Sequence, residues 1–371
     1  MARDIDPRRL IAAHAAAAAF YRERLPGHLP ALAYLHSRGV PPALANRPPW
    51  TVGYAPAGWT ELRTVLHAAG FADRELLAAG LATTSRTGGI IDAFRDRVVF
   101  PVRNRAGHVV GFTGRDLSGH PDTPKYRNTV TTAIYRKRRL LYGLAEQAER
   151  APAAVLLVEG PTDVLALAGL GHRLPGVGHR LPGVGQRPVG VGQRPVGVGQ
   201  RPVGVGYWPP GVGYLAVAPC GTAVSADQVR LLADRVAAGT PLVVAFDADT
   251  AGAAAADRTY RLTRDWAGPV DAVVLPPGTD PAGLVARYRQ GAVPLLEHLR
   301  VALVEVVAEH RLSRFRLDEP EGRVNALRSA APLVAEIGEQ DTSRAAQLCA
   351  HLSARLHLDP LTVFEAAYPE P

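Results

Sequence analysis

Residues 242–252 read LVVAFDADTAG: an apolar run ends in Asp247 and Asp249, and small residues follow. On an extended segment, side chains at i and i+2 point to the same side, so the two carboxylates repel unless a cation lies between them. Magnesium suits such a pair because it takes hard oxygen ligands, keeps several waters and bridges to substrate phosphates; manganese accepts the same ligands. A second apolar run, AVLLV, ends similarly in EGPTD, with Glu159 at its end, Gly160 permitting close backbone approach, and Asp163 entering the next segment. A third, VDAVVL, leads through PPGTD to Asp280. Taken singly, Asp163 and Asp280 would also serve as ordinary helix N-caps. Glu159 with Asp247 and Asp249 reads instead as a set of metal ligands.

The elements that must position these acids follow a regular rhythm. From residue 154, strands AVLLV, YLAVA, PLVVAF and VDAVVL alternate with helical patterns TDVLALAGL, SADQVRLLADRVAA, a segment starting near Thr250, and PAGLVARYRQ. Continuous apolar strands alternating with amphipathic helices predict a parallel sheet covered on both faces. In such a sheet the functional crevice lies at the carboxyl ends of the strands, where the acids fall. Ser225 and Gln228 have capping-box spacing at the start of the second helix. Ahead of this region, residues 8–92 read as small and mostly helical. DRVVFPV and HVVGFTGR, joined by RNRAG, then predict a β-hairpin with arginines at its ends, part of a basic α+β lobe. Residues 296–369 have helical periodicity with short breaks, a helical tail.

The 371 residues are 47% hydrophobic, enough for a large core and two or three domains. A formal charge of +8 favours a polyanionic partner. Only two basic residues are lysine, Lys125 and Lys137, and both lie in the most basic stretch, from Arg95 to Arg139. Where arginine is nearly always used, a retained lysine points to a site that needs a compact ammonium. Between the first helix and the second strand runs a period-seven repeat (GVGHRLP, GVGQRPV, GVGYWPP) carrying Arg173, Arg180, Arg187, Arg194 and Arg201. Glycine and proline in every copy forbid helix, so residues 172–213 are expected to be a flexible loop. Cys220 and Cys349 are the only cysteines, too few for a disulfide framework or a self-contained zinc module, and a reducing compartment fits. No run of about eighteen apolar residues predicts a membrane span.

EGPTD followed by a strand-terminal DAD resembles the toprim signature of bacterial primases, topoisomerases and some nucleases. FPVRNRAGHVVGFTGRDL, PKYRNTVTTAIYRKRRLLYGL, AVAPCGTAVSADQVRLL and VAFDADTAGAAAADR narrow this, being similar to successive segments of the RNA polymerase domain of DnaG-type primases. AAAAAFYRERL, LAYLHSRGV and VGYAPAGW resemble that domain's start, and EPEGRVNALRSAAPLVAEI its helical end. The resemblance covers nearly the whole chain outside the repeat. A topoisomerase is disfavoured, since no companion domain offers an active-site tyrosine.

The resemblance implies a toprim domain preceded by a basic lobe and followed by a helical tail: 1–150, 151–295 with the repeat at 172–213, and 296–371. It implies that Glu159, Asp247 and Asp249 are catalytic and, with Asp163 and Asp280 in support, hold Mg2+ or Mn2+. It implies that Lys125 and Lys137 face template or nucleotide, with Arg97, Arg115 and Tyr126 in the same basic motifs. The activity implied is template-directed synthesis of short RNA primers from NTPs on single-stranded DNA, in the cytoplasm at the nucleoid. The alternatives are a toprim nuclease and a catalytically degenerate single-stranded-DNA-binding accessory protein. No zinc is expected within this chain, the zinc-binding and helicase-binding domains of the family are expected to be missing, and a replicative helicase or a zinc-domain protein in trans is the expected protein partner. The usual DPD at the fourth strand appears as Asp280-Pro281-Ala282, which implies a weaker second metal.

Overall fold

Asp6 caps the first helix by accepting the Arg8 N–H at 2.8 Å, Pro7 opens it, and a run of alanines carries it on. In the computed structural model, residues 5–148, 152–170, 213–221, 223–245 and 250–369 are described, the backbone alone for 250–253. Asp247 and Asp249, and nearly all of the 172–213 repeat, lie outside these residues. The described residues form two compact units that meet in sequence at Val301 and Ala302.

The first unit opens with α1 (Pro7–Arg24), α2 (Leu29–Ser37), α3 (Pro42–Ala45), β1 (Gly53–Ala55), α4 (Glu61–Ala68), α5 (Asp73–Ala79), β2 (Ala82–Thr84) and β3 (Ile90–Asp92). The expected hairpin follows as β4 (Arg97–Arg103) and β5 (Val109–Asp116), with β6 (Tyr126–Asn128) beyond it. Its turn closes through the Gly107 N–H donating to Asn104 O at 2.9 Å. The four-stranded sheet runs in the order β1-β4-β5-β6, all antiparallel. Alanines on the buried face of α1 let the sheet come close: a Cβ on Gly53 of β1 would lie 2.5 Å from Tyr21. Phe94, Val99 and Phe112 fill the core between them. The mostly helical reading of 8–92 misses β1, β2 and β3, each only three residues long and too short to show alternation.

After β7 (Leu141–Tyr142) the βα rhythm is as expected. It comprises β8 (Ala154–Val158), α6 (Pro161–Leu170), β9 (Tyr214–Pro219), α7 (Ala226–Ala233), β10 (Leu242–Ala245), α8 (Thr250–Leu262), β11 (Val270–Val273) and α9 (Pro281–Tyr288). Next come α10 (Ala292–His298) and β12 (Arg300–Ala302). The sheet order is β12-β11-β10-β8-β9-β7, and β11, β10, β8 and β9 are parallel. Every residue of β8 and β10 is buried, the mark of strands covered on both faces. The antiparallel edge strand β7 is unforeseen, as is β12, a strand within the stretch read as helical tail. One apolar core joins Val98 and Phe100 of the basic lobe to Leu156 and Ala216 of the parallel sheet.

The second unit is helical: α11 (Leu303–Leu312), α12 (Pro320–Ala330), α13 (Pro332–Gly338), α14 (Thr342–Leu356) and α15 (Pro360–Ala367). Asp341 and Asp359 cap the last two helices, which bury Leu348, Leu352, Leu356 and Val363.

Candidate active site

The strands of the second sheet end in step. Val158 of β8 pairs with Ala245 of β10. One residue beyond the Leu157–Val217 pair, Ala218 of β9 faces Tyr142 of β7. Glu159 is the next residue past this row and is exposed on the carboxyl edge. Asp247 and Asp249 follow Ala245 by two and four positions in the chain, outside the described residues.

Asp163, in the first turn of α6, is buried and well occupied. Its Oδ2 accepts the Gly160 N–H at 3.1 Å and its Oδ1 the Ala282 N–H at 3.0 Å, tying the β8–α6 turn to the start of α9. Asp280 is the N-cap of α9 and accepts the Gly283 N–H at 2.7 Å. Arg38 is the cation they share: its Nη2 bonds to Asp280 Oδ2 and lies 3.7 Å from Asp163 Oδ1. Partial burial works against charge on Arg38, yet the two carboxylates hold its pKa above the ordinary value. Gly39 allows this meeting, since its φ of +70° is left-handed and a Cβ there would lie 2.7 Å from the Ala286 nitrogen. Asp280 therefore takes the N-cap role that its position also allowed, whereas Asp163, inside the first turn of α6, braces the Gly160 and Ala282 N–H groups.

The basic lobe contributes a layer of rings against the same turn. The Arg115 guanidinium lies 5.2 Å from the Tyr34 ring centroid and 5.8 Å from that of Tyr126. Burial, then the neighbouring Tyr34, raise the pKa of Tyr126 above the ordinary phenol value, against a smaller lowering by Thr162. A Cβ on Gly160 would sit 3.8 Å from the Tyr126 hydroxyl, an ordinary contact, and 3.3 Å from Asp163 Oδ2, which is the tighter neighbour of this turn.

Arg97 is placed differently. It is 4% exposed, 3.4 Å from Asp116 Oδ1, and its Nη1 donates to Gly114 O at 3.1 Å and Pro124 O at 3.0 Å. Burial lowers its pKa against the pull of Asp116, and Arg127, Arg115 and Arg95 add to the lowering. Its contacts make it a support beneath the segment that carries Lys125, which is itself exposed. Lys137 is also exposed, on a short 3-10 turn before β7. Its Cδ lies 3.6 Å from where a Cβ on Gly221 would stand, just past the carboxyl end of β9.

Asp163, Asp280, Arg115 and Tyr126 thus form one connected set, Arg97 lies behind it, and the two lysines stand on separate turns. Arg38 and Tyr34 belong to that set and were not singled out from sequence. A glycine after an apolar helix signals that Arg38 ends α2, but not that the helix stops against α9. Among the described residues no three His, Cys, Asp or Glu gather as a metal site. The exposed Glu159 carboxylate, on the edge at which β10 also ends, is a hard oxygen donor of the type a divalent cation takes. Among the described residues no helix is long and apolar enough to cross a membrane.

Three family models match the chain: the DNA primase catalytic core, N-terminal domain over 20–148, the Toprim domain over 154–273, and the DnaB-helicase binding domain of primase over 304–341. The third corrects the expectation that the helicase-binding part is missing. Its match is short and wholly helical, and amphipathic helices of ordinary composition do not distinguish such a segment from the end of a polymerase domain. The DNA primase of Streptomyces coelicolor is 35% identical over 340 residues, 89% of this chain and 46% of that protein. The chain thus spans about half the length of the curated relatives it matches. The RNA polymerase domain of Mycobacterium tuberculosis primase DnaG, solved with a double-stranded DNA oligomer bearing a 6-nucleotide overhang, is 30% identical. It superposes with a TM-score of 0.68, covering 95% of this chain and 99% of that one. A DnaG primase catalytic domain bound to single-stranded DNA gives 0.68 at 28% identity, covering 96% and 98%. With the basic lobe, the toprim sheet and the helical unit all matched, the chain belongs to the DnaG-type DNA primase family.

Proposed function

We propose that this chain makes short RNA primers on a single-stranded DNA template. The observation that carries this reading is the common edge of the parallel sheet, where Glu159 leaves β8 in register with the end of β10, the strand that runs on to Asp247 and Asp249. Glu159, Asp247 and Asp249 would hold Mg2+ or Mn2+, which when bound lowers the pKa of the attacking hydroxyl and neutralises charge on the phosphate. The reaction joins a 3′-hydroxyl to the α-phosphate of an incoming NTP, and pyrophosphate leaves. Lys125 and Lys137 bind phosphates of template or nucleotide as compact point charges. Arg115 and Tyr126 line the approach to the Gly160 turn. Asp163 and Asp280, held by Arg38, keep that turn and the α9 N-terminus together in support of the metal ligands.

The domain plan is a basic lobe to about residue 150, the toprim domain to about 295 and the helical unit beyond. A replicative helicase docks on that unit, in keeping with the family match over 304–341. The protein works in the cytoplasm at the nucleoid.

The test is primer synthesis by the purified chain on a mixed-sequence single-stranded template with labelled NTPs and Mg2+ or Mn2+. Template-dependent RNA is expected, with Asp247→Ala lowering its rate roughly 10²–10³-fold, the scale at which single groups that stabilise transition-state charge act. Shortening of a labelled template would indicate a nuclease. Strand binding without synthesis, unchanged by a zinc-binding domain added in trans, would indicate an accessory protein.

A further inference from the structure

The capping box at the start of α7 does more than cap a helix. Ser225 Oγ accepts the Gln228 N–H at 3.2 Å, and Gln228 Oε1 accepts the Ser225 N–H at 2.9 Å. These two bonds complete the box, and a glutamate at Gln228 would complete it equally well. Gln228 has an amide nitrogen in addition, and both of its protons are used outside the helix. Nε2 donates to Lys137 O at 3.0 Å and to Leu140 O at 2.7 Å. Ser225 Oγ meanwhile donates to Arg138 O at 2.7 Å. Two carbonyls can be met only by the NH2 group and the Ser225 N–H only by the amide oxygen, so every partner requires the same orientation of the amide. Gln228 is 1% exposed, and breaking such a buried network leaves carbonyls without donors.

The turn held this way has a charge problem. Arg136, Lys137, Arg138 and Arg139 are four exposed cations in succession, and their repulsion favours an open turn. Arg139 is relieved by Asp227 at 3.2 Å. Among the described residues no carboxylate is paired with the Lys137 side chain, and the residue is held through its backbone. The turn runs directly into β7, whose Leu141 pairs with Pro219 at the carboxyl end of β9. β7 is two strands from β8, about 10 Å across the sheet from Glu159.

We infer that Gln228 is a positioning residue: with Ser225 as its second anchor, it fixes the turn that presents Lys137 to nucleotide phosphate at the sheet edge. The kinetic part of this inference rests on the proposed primer synthesis; the structural part does not.

Gln228→Glu is the test, because it keeps the capping box and removes both outward donors. It is expected to raise the KM for NTP roughly tenfold, the loss of about two buried hydrogen bonds. kcat and single-stranded DNA affinity are expected to change less than twofold. In a Lys137→Ala background the same substitution is expected to add almost nothing, since it acts through Lys137. Losses that multiply, or an unchanged KM, overturn the inference. Should Gln228→Glu fail to fold, Ser225→Ala removes the Arg138 anchor and is expected to move KM in the same direction by less. If the wild-type chain makes no primers even with a zinc-binding domain added in trans, the proposed function falls and the clamp is decided separately by hydrogen exchange. Faster exchange of amides 136–141 in Gln228→Glu, with the rest of α7 unchanged, supports it, and unchanged exchange there sinks it.

Discussion

Lys125 and Lys137, the two lysines of the chain, stand on turns held by different chemistry. At Lys125 the holder is a buried ion pair: Arg97 donates to Pro124 O, Asp116 N–H donates to Lys125 O at 3.0 Å, and the two side chains face each other at 3.4 Å. Asp116 is satisfied further by Ser118 Oγ and the Gly119 N–H. At Lys137 the holder is the neutral Gln228 amide. In both cases a buried polar group grips backbone carbonyls so that an exposed ammonium is presented with no ion pair among the described residues. The two differ in what failure costs. A lost amide leaves carbonyls unmatched, whereas a lost arginine leaves a buried carboxylate without its cation, which is far more expensive.

The strongest way to break this comparison is Arg97→Ala. It is expected to destabilise the fold by roughly 3–5 kcal/mol, the range for removing one partner of a buried pair, measured by urea unfolding. A loss below about 1 kcal/mol would mean that the pair carries no more than the amide does. Glu146 sharpens the same point through pH. It is buried with Arg103 Nε 3.5 Å from its Oε1, and burial still pushes its pKa up to about 7. Because the folded state keeps this proton longer than the unfolded one, its contribution is fully present below the unfolded carboxyl range. It is lost as pH rises from there through about 7. The expected fall is on the order of 2–3 kcal/mol, and Glu146→Gln is expected to flatten it in unfolding curves at pH 5 and pH 8. A wild-type curve that does not fall over that range would show Glu146 charged in place.

The difference between holding and presenting a charge is poorly legible in sequence. Arg97 and Arg115 look alike there, each an arginine near the end of an apolar strand. Only the antiparallel register, which sets Arg97 opposite Asp116, makes one a support. The βα rhythm was legible because buried parallel strands are continuous apolar runs, and the S-x-x-Q box because capping is local. The outward reach of Gln228 was not, since its partners lie 88 and 91 residues away. The same holds for Arg38, which meets Asp280 across 242 residues. Strands β1, β7 and β12 carry two or three residues each, below the length at which alternation can be read. The candidate acids were visible as types at strand ends. That Asp163 and Asp280 are occupied by backbone N–H groups and Arg38, while Glu159 is exposed, emerged only from packing.

The smallest effect on stability, and the one that separates presenting from holding most cleanly, belongs to Lys125 itself. Its side chain is exposed, so Lys125→Ala is expected to change unfolding free energy by less than about 0.5 kcal/mol. If it presents its charge to a template phosphate, the slope of log affinity against log salt is expected to fall in magnitude by about 0.7, one single-strand phosphate contact. Lys125→Arg keeps the charge and should keep the slope, but a planar fork replaces the compact ammonium. A retained slope with slower primer synthesis would then explain a lysine in a chain that otherwise uses arginine. An unchanged slope in Lys125→Ala would remove Lys125 from the strand's path, and the Arg97–Asp116 pair would be holding a turn for some other reason.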